Sequence, residues 1–149
     1  MRTLSLTTRQ VIAAVQELEG QELNQRTLAA WAHMEIAVPS VVWERKRGRY
    51  SARVYSLDDL ARIRLVVRLR KAGFSMTRVR AVLAYLSREL PEVLKPKTQA
   101  VLIVEGWRAA IVRRAGSGDL EIPSGQYRLS LAEVIKGNIE AAREALKVA

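Results

Sequence analysis

Apolar positions along the chain fall into helical stripes first and into short strand-like runs later. Val11, Ile12, Val15 and Leu18 recur at three- and four-residue steps, which predicts a helix over "RQVIAAVQEL". Thr7 with Gln10 has the form of a capping box before it, and Gly20 ends the pattern. Asn24 is an N-cap for a second, short helix, "QRTLAAWAHM", whose Leu28, Trp31 and Ala32 face the first. "SVVWERKRGRYSARVYS" has ends rich in Val, Trp and Tyr around Gly48 and reads as a small β-hairpin with a basic tip. Ser56 with Asp59 makes a second capping box. The helix after it has a broad apolar arc from Leu60, Ile63, Leu65, Val66, Val67 and Leu69, with Arg64, Arg68 and Lys71 on the remaining side, and Gly73 ends it. Ser75 caps a further helix with Met76, Val79, Val82, Leu83 and Leu86 on one face.

After "PEVLKP", framed by Pro91 and Pro96, the period changes. "QAVLIVEGWRAAIVRRAGSGDLEIPSG" predicts two or three short strands with turns at Gly106 and "GSGD", and "LSLAEVIKGNIEAAREALKVA" predicts a closing amphipathic helix. The fold class is therefore α+β, mainly α. A winged helix-turn-helix unit over 1–90 is followed by a linker over 91–98. A strand-rich tail over 99–149 then carries a small β-hairpin and a C-terminal helix.

Charge sharpens this picture. The 149 residues carry a net charge of +10, and residues 1–90 hold 16 Lys and Arg against 8 Asp and Glu. Five cations, Arg45, Lys46, Arg47, Arg49 and Arg53, crowd around Gly48, with Tyr50 and Tyr55 interleaved. A basic excess gathered at a flexible tip points to a polyanion, and a wing lying on a phosphate backbone needs such a tip. The chain has no cysteine and one histidine. Disulfides, thiol chemistry, a metal ligand set and a nucleophilic triad all lack their residues. His33 reads as a surface or partly buried residue. Asp58 and Asp59 read as carboxylates opposing a helix macrodipole, and "GSGD" as a hairpin turn without the lysine of a phosphate loop. No enzyme activity and no cofactor are expected. No apolar run reaches membrane-spanning length, and a cytoplasmic protein is expected.

The order helix, turn, short helix, basic hairpin and two helices is that of a winged helix-turn-helix. From about Leu6 to Leu90 the chain resembles the DNA-binding domain of the MerR family of bacterial transcription regulators. "LTTRQV", "LNQRTLAAW" and "RYSARVYSLDDLARIRLVVRLRKAGFSMTRVRAVL" carry the resemblance. Its most specific part is Tyr55, Ser56, Asp59, Leu60, Leu65, Leu69, Gly73 and Phe74, which fall in that family's "YS-x-x-DL" and "LR-x-x-GFS" patterns.

The resemblance implies a transcription regulator that binds a palindromic duplex DNA site as a homodimer. It implies contacts from Thr8 and Arg9, from Gln25, Arg26 and Thr27 of the recognition helix, and from Arg45, Lys46, Arg47, Arg49, Tyr50, Arg53 and Tyr55 of the wing. Three departures stand out. Extra residues, roughly "ELEGQE", lengthen the helix-turn-helix turn. Ala29 and Ala30 stand where the family often places Arg and Tyr. The family's long dimerisation helix is cut at Pro91 and Pro96. Dimerisation or partner binding is then expected in the tail, through Trp107, Ile135, Ile139 and Leu146. An alternative is an operator-binding antitoxin or adaptor whose tail grips a protein partner, and a third is a nucleoid or recombination accessory factor.

Overall fold

The computed structural model describes residues 4–43, 53–89, 100–105, 108–113 and 127–147. In chain order these form β1 (Ser5–Thr7), α1 (Thr8–Glu19), α2 (Gln25–His33), β2 (Val42–Trp43), β3 (Arg53–Ser56), α3 (Leu57–Lys71), α4 (Met76–Glu89), β4 (Ala100–Glu105), β5 (Arg108–Arg113), β6 (Tyr127–Ser130), α5 (Ala132–Ile135) and α6 (Asn138–Ala145). The fold is α+β and mainly α. It divides into two compact units, Met1–Val67 with Gly137–Ala149, and Arg68–Lys136. That division differs from the expected border at residue 90: the last helix belongs with the first unit, and α4 with the second. The expected linker lies outside the described residues.

The caps read from the sequence are in place. Thr7 and Gln10 exchange hydrogen bonds between side chain and backbone, closing the capping box of α1, and Gly20 ends that helix at φ 66°. Asn24 Oδ1 accepts the Thr27 N–H at 2.7 Å and starts α2. Of the expected α1 stripe, Val11 and Val15 are buried while Ile12 and Leu18 are half-buried, and Ala14 joins the inner face; Leu28, Trp31 and Ala32 of α2 are buried, as expected. One element was not predicted. The chain before α1 is the strand β1, which pairs antiparallel with β3, and β2 flanks β3 on its other side. Leu6 on β1 and its partner Tyr55 on β3 are both fully buried beneath this sheet.

Arg64 departs most from expectation. It was placed outside the apolar arc of α3, yet it is only 3% exposed. Its Nε donates to Glu19 Oε2 at 3.0 Å, its Nη2 lies 2.9 Å from the same oxygen, and its Nη1 donates to Asn138 Oδ1 at 2.8 Å. A buried guanidinium needs its donors met, and here the last turn of α1 and the first residue of α6 meet them. The residues read as an enlarged turn contribute to this arrangement. Glu17, Leu18 and Glu19 extend α1, so the turn before α2 runs only from Gly20 to Asn24. Glu19 becomes the anion that holds Arg64.

The closing segment is not one helix. Leu129 and Ser130 belong to β6, and the helix breaks at Gly137, whose φ is 85°. A Cβ there would also stand 3.0 Å from Leu18 Cδ2. Glycine suits both the left-handed backbone and the close approach. Beyond it, Asn138, Ala141, Ala142 and Ala145 are buried as α6 packs on α1. Small side chains let the two helices approach closely.

In the second unit, β4 lies between β5 and β6, both antiparallel to it. Val101, Leu102 and Val104 are buried with Leu129 of β6. The third strand therefore lies at Tyr127–Ser130, after the run in which strands were expected. Ser75 Oγ accepts the Arg78 N–H at the start of α4, and Val79, Val82, Leu83 and Leu86 are buried on its inner face. Phe74 packs edge-on against Tyr127, with the Arg78 guanidinium 4.1 Å from its ring centroid.

Removing one partner from the buried ion pair should cost more than replacing both. Arg64→Ala should lower the stability measured by urea unfolding by about 3–5 kcal/mol, because it leaves the Glu19 carboxylate buried and unmatched. Arg64→Met combined with Glu19→Leu should recover most of that loss.

Candidate nucleic-acid interface

The first unit presents two helix starts without acidic residues. Neither α1 nor α2 has an Asp or Glu in its first turn, whereas α3 has Asp58 and Asp59. The free N–H groups and the dipole of such a start favour an anion. Thr8 is half-buried and Arg9 exposed at the start of α1, while Gln25 and Arg26 are exposed and Thr27 half-buried at the start of α2. The apolar inner face of α2 fixes this presentation. Leu28, Trp31 and Ala32 are buried, so Gln25, Arg26, Ala30 and His33 point outward.

The hairpin between β2 and β3 is fastened at its base by one carboxylate. Asp59 is buried, and its Oδ2 accepts hydrogen bonds from Ser40 N–H at 2.8 Å, Ser40 O–H at 2.7 Å and Ser56 N–H at 2.9 Å. Its own N–H donates to Ser56 Oγ at 3.1 Å, which completes the capping box of α3. Ser40 precedes β2 and Ser56 ends β3, so both legs of the hairpin meet at the start of α3. Asp59 was legible as a helix-start carboxylate; its hold on Ser40, 19 residues back, was not. The same base carries Trp43 opposite Arg53 in register. Arg45, Lys46, Arg47, Arg49 and Tyr50 lie outside the described residues.

Tyr55 requires a correction. It was expected at the DNA surface, but it is fully buried beneath the sheet. Strand alternation explains this: Tyr55 shares the inward face with its partner Leu6. Neither its Oη nor the Nε of half-buried Arg53 has a hydrogen-bond partner among the described residues. Burial pushes the phenol up from its ordinary value, against the pull of Arg53, while Asp59 adds to the rise.

The remaining site residues stand apart. Trp107 lies outside the described residues. Ile135 is half-buried on α5, separated by Gly137 from Ile139 and Leu146, which are 41% and 44% exposed. No described helix is long and apolar enough to cross a membrane.

Residues 15–86 match the model of the MerR HTH family regulatory protein. They form a MerR-family helix-turn-helix domain. The match runs from the middle of α1 through α2, the hairpin and α3 into α4. A comparison with curated proteins finds no match. That family consists of DNA-binding regulators.

Two substitutions separate surface from support. Asp59→Ala should lower stability by about 2–3 kcal/mol in urea unfolding, because Ser40 and the α3 start lose a charged acceptor. Tyr55→Phe should leave DNA affinity within about twofold and stability within about 1 kcal/mol. A raised folded pKa means the phenol's contribution to stability is lost as pH rises above its ordinary value of 10.0, where the unfolded chain releases the proton first. The Phe variant should therefore resist alkaline unfolding better than the wild type.

Proposed function

We propose that this protein is a MerR-type transcription regulator that binds a palindromic operator as a homodimer. The α2 start enters the major groove and the basic hairpin lies along the backbone. The observation that carries this reading is the match of residues 15–86 to a DNA-binding regulatory family, over a unit whose α1 and α2 begin without acids and with exposed Arg9, Gln25 and Arg26. Short recognition helices read few base pairs each, so two copies supply the discrimination that one lacks. Arg45, Lys46, Arg47, Arg49 and Tyr50 serve the phosphates, together with Arg53, Thr8 and Arg9. Gln25, Arg26 and Thr27 serve the bases.

Support for self-association comes from α6. Its alanine face packs on α1, while Ile139 and Leu146, seven residues apart and hence on one face, stay exposed. Deleting the tail to make a monomer would also strip Asn138 from Arg64 and uncover α1. Point substitutions on the outer face are the cleaner probe.

Duplex binding should weaken steeply with salt. With roughly 5 to 8 phosphates contacted per subunit, log affinity should fall with log salt at about −0.9 per contact. Arg47→Ala and Arg49→Ala should weaken specific and random duplexes alike, whereas Arg26→Ala should cost about 1–3 kcal/mol on the specific site and less elsewhere. A flat salt response, or no binding at low salt, would overturn the proposal. Light scattering tests the dimer separately. Ile139→Glu with Leu146→Glu should convert a dimer to a folded monomer that keeps its weak nonspecific binding. A wild-type chain that is already monomeric would instead favour a tail that binds a different protein.

A further inference from the structure

The outward face of α2 holds a side chain that the helix start and the basic hairpin leave unused. Arg26, Ala30 and His33 are all exposed and follow four- and three-residue steps, so they share one face. Seven residues at 1.5 Å each place Arg26 and His33 about 10 Å apart along the axis, about three base steps at 3.4 Å per strand. Ala29 and Ala30 stand between them and bring no polar atom. The two ends of this face therefore carry its hydrogen-bonding capacity.

His33 is also held in place. Its ring meets that of Trp43 edge-on, with centroids 5.6 Å apart and planes at 65°. Trp43 belongs to β2, paired through β3 to the base of the hairpin. A side chain ordered before binding gives up less conformational freedom when it binds.

We propose that His33 is a specificity-determining residue. Its ring nitrogen pairs with a purine edge in the major groove, about three base steps from the base met by Arg26, and Trp43 is its positioning residue. The proposal rests on the reading of α2 as the major-groove helix. An imidazole offers at least one N–H donor, and N7 is the acceptor that both purines offer in the groove. The base pair facing Ala30 is left to apolar contact, for which the thymine methyl is the available group.

Selection of bound duplexes from a random pool, with the full chain and with His33→Ala, His33→Gln and Trp43→Ala, tests this. The wild type should select a purine at one position per half-site. His33→Ala should lose that preference, about 3- to 10-fold, and keep the others, as the loss of one hydrogen bond predicts. His33→Gln, which retains a donor, should keep a preference there, and Trp43→Ala should blur the same position. Replacing the selected purine by its 7-deaza analogue should weaken the wild type by a similar factor, a readout that does not depend on any variant's folding, and should leave His33→Ala unaffected. An unchanged profile for His33→Ala, an equal loss on every sequence, or indifference of the wild type to the 7-deaza base would overturn the assignment while leaving DNA binding intact. Absence of any duplex binding at low salt would overturn the DNA-binding reading itself, and this assignment with it.

Discussion

The first unit depends on the buried guanidinium of Arg64. Its donors reach the end of α1 through Glu19 and the start of α6 through Asn138, so three elements far apart in sequence close around one cation. A charge this deeply buried is tolerable only while its partners stay put. The last helix is therefore part of the helix-turn-helix unit and not a tail beside it. Gly137 makes this possible, because its backbone turns α6 onto α1 where any side chain would meet Leu18. At the other end of α1, Arg9 is exposed and Thr8 half-buried.

A second anchor serves the hairpin. Asp59 gathers Ser40, Ser56 and the α3 start into one hydrogen-bonded group. A basic hairpin gains from such a base, since cations repel one another and a pair of short strands is marginal alone. The two anchors divide the work. One holds α1 and α6 to α3, and the other sets the root of the hairpin. Trp43, resting against His33, ties the hairpin root to the end of α2.

Much of this was legible in the sequence because it is local. Capping boxes at Thr7 and Ser56, the Asn24 cap, the stops at Gly20 and Gly73, and the inner faces of α1, α2 and α4 depend on neighbours within a few residues, and each stands where the pattern put it. What escaped is long-range. Arg64 reads only as a residue outside the apolar arc of α3, because nothing within four residues reveals Glu19 or Asn138. Tyr55 reads as a DNA contact because a four-residue strand that follows a basic stretch gives no sign of which face it turns inward, and its partner strand β1 is only three residues long. The closing helix reads as longer than it is because Leu129 and Leu131 fit a helical stripe as well as a strand and a turn, and because the left-handed backbone at Gly137 divides the rest. At the candidate interface, the chemistry of Arg26 was visible from composition and position. The availability of His33 depends on which side of α2 faces outward and on a tryptophan ten residues away.

The central claim is that α6 and α1 stand or fall together through Arg64, and native-state hydrogen exchange tests it most directly. Amides in the middle of α1 and in α6 should exchange with the same opening free energy, and Asn138→Ala should lower both by the same amount. Exchange of α6 well ahead of α1, with α1 protection unchanged in Asn138→Ala, would show that the last helix is only a lid on a unit that holds together without it.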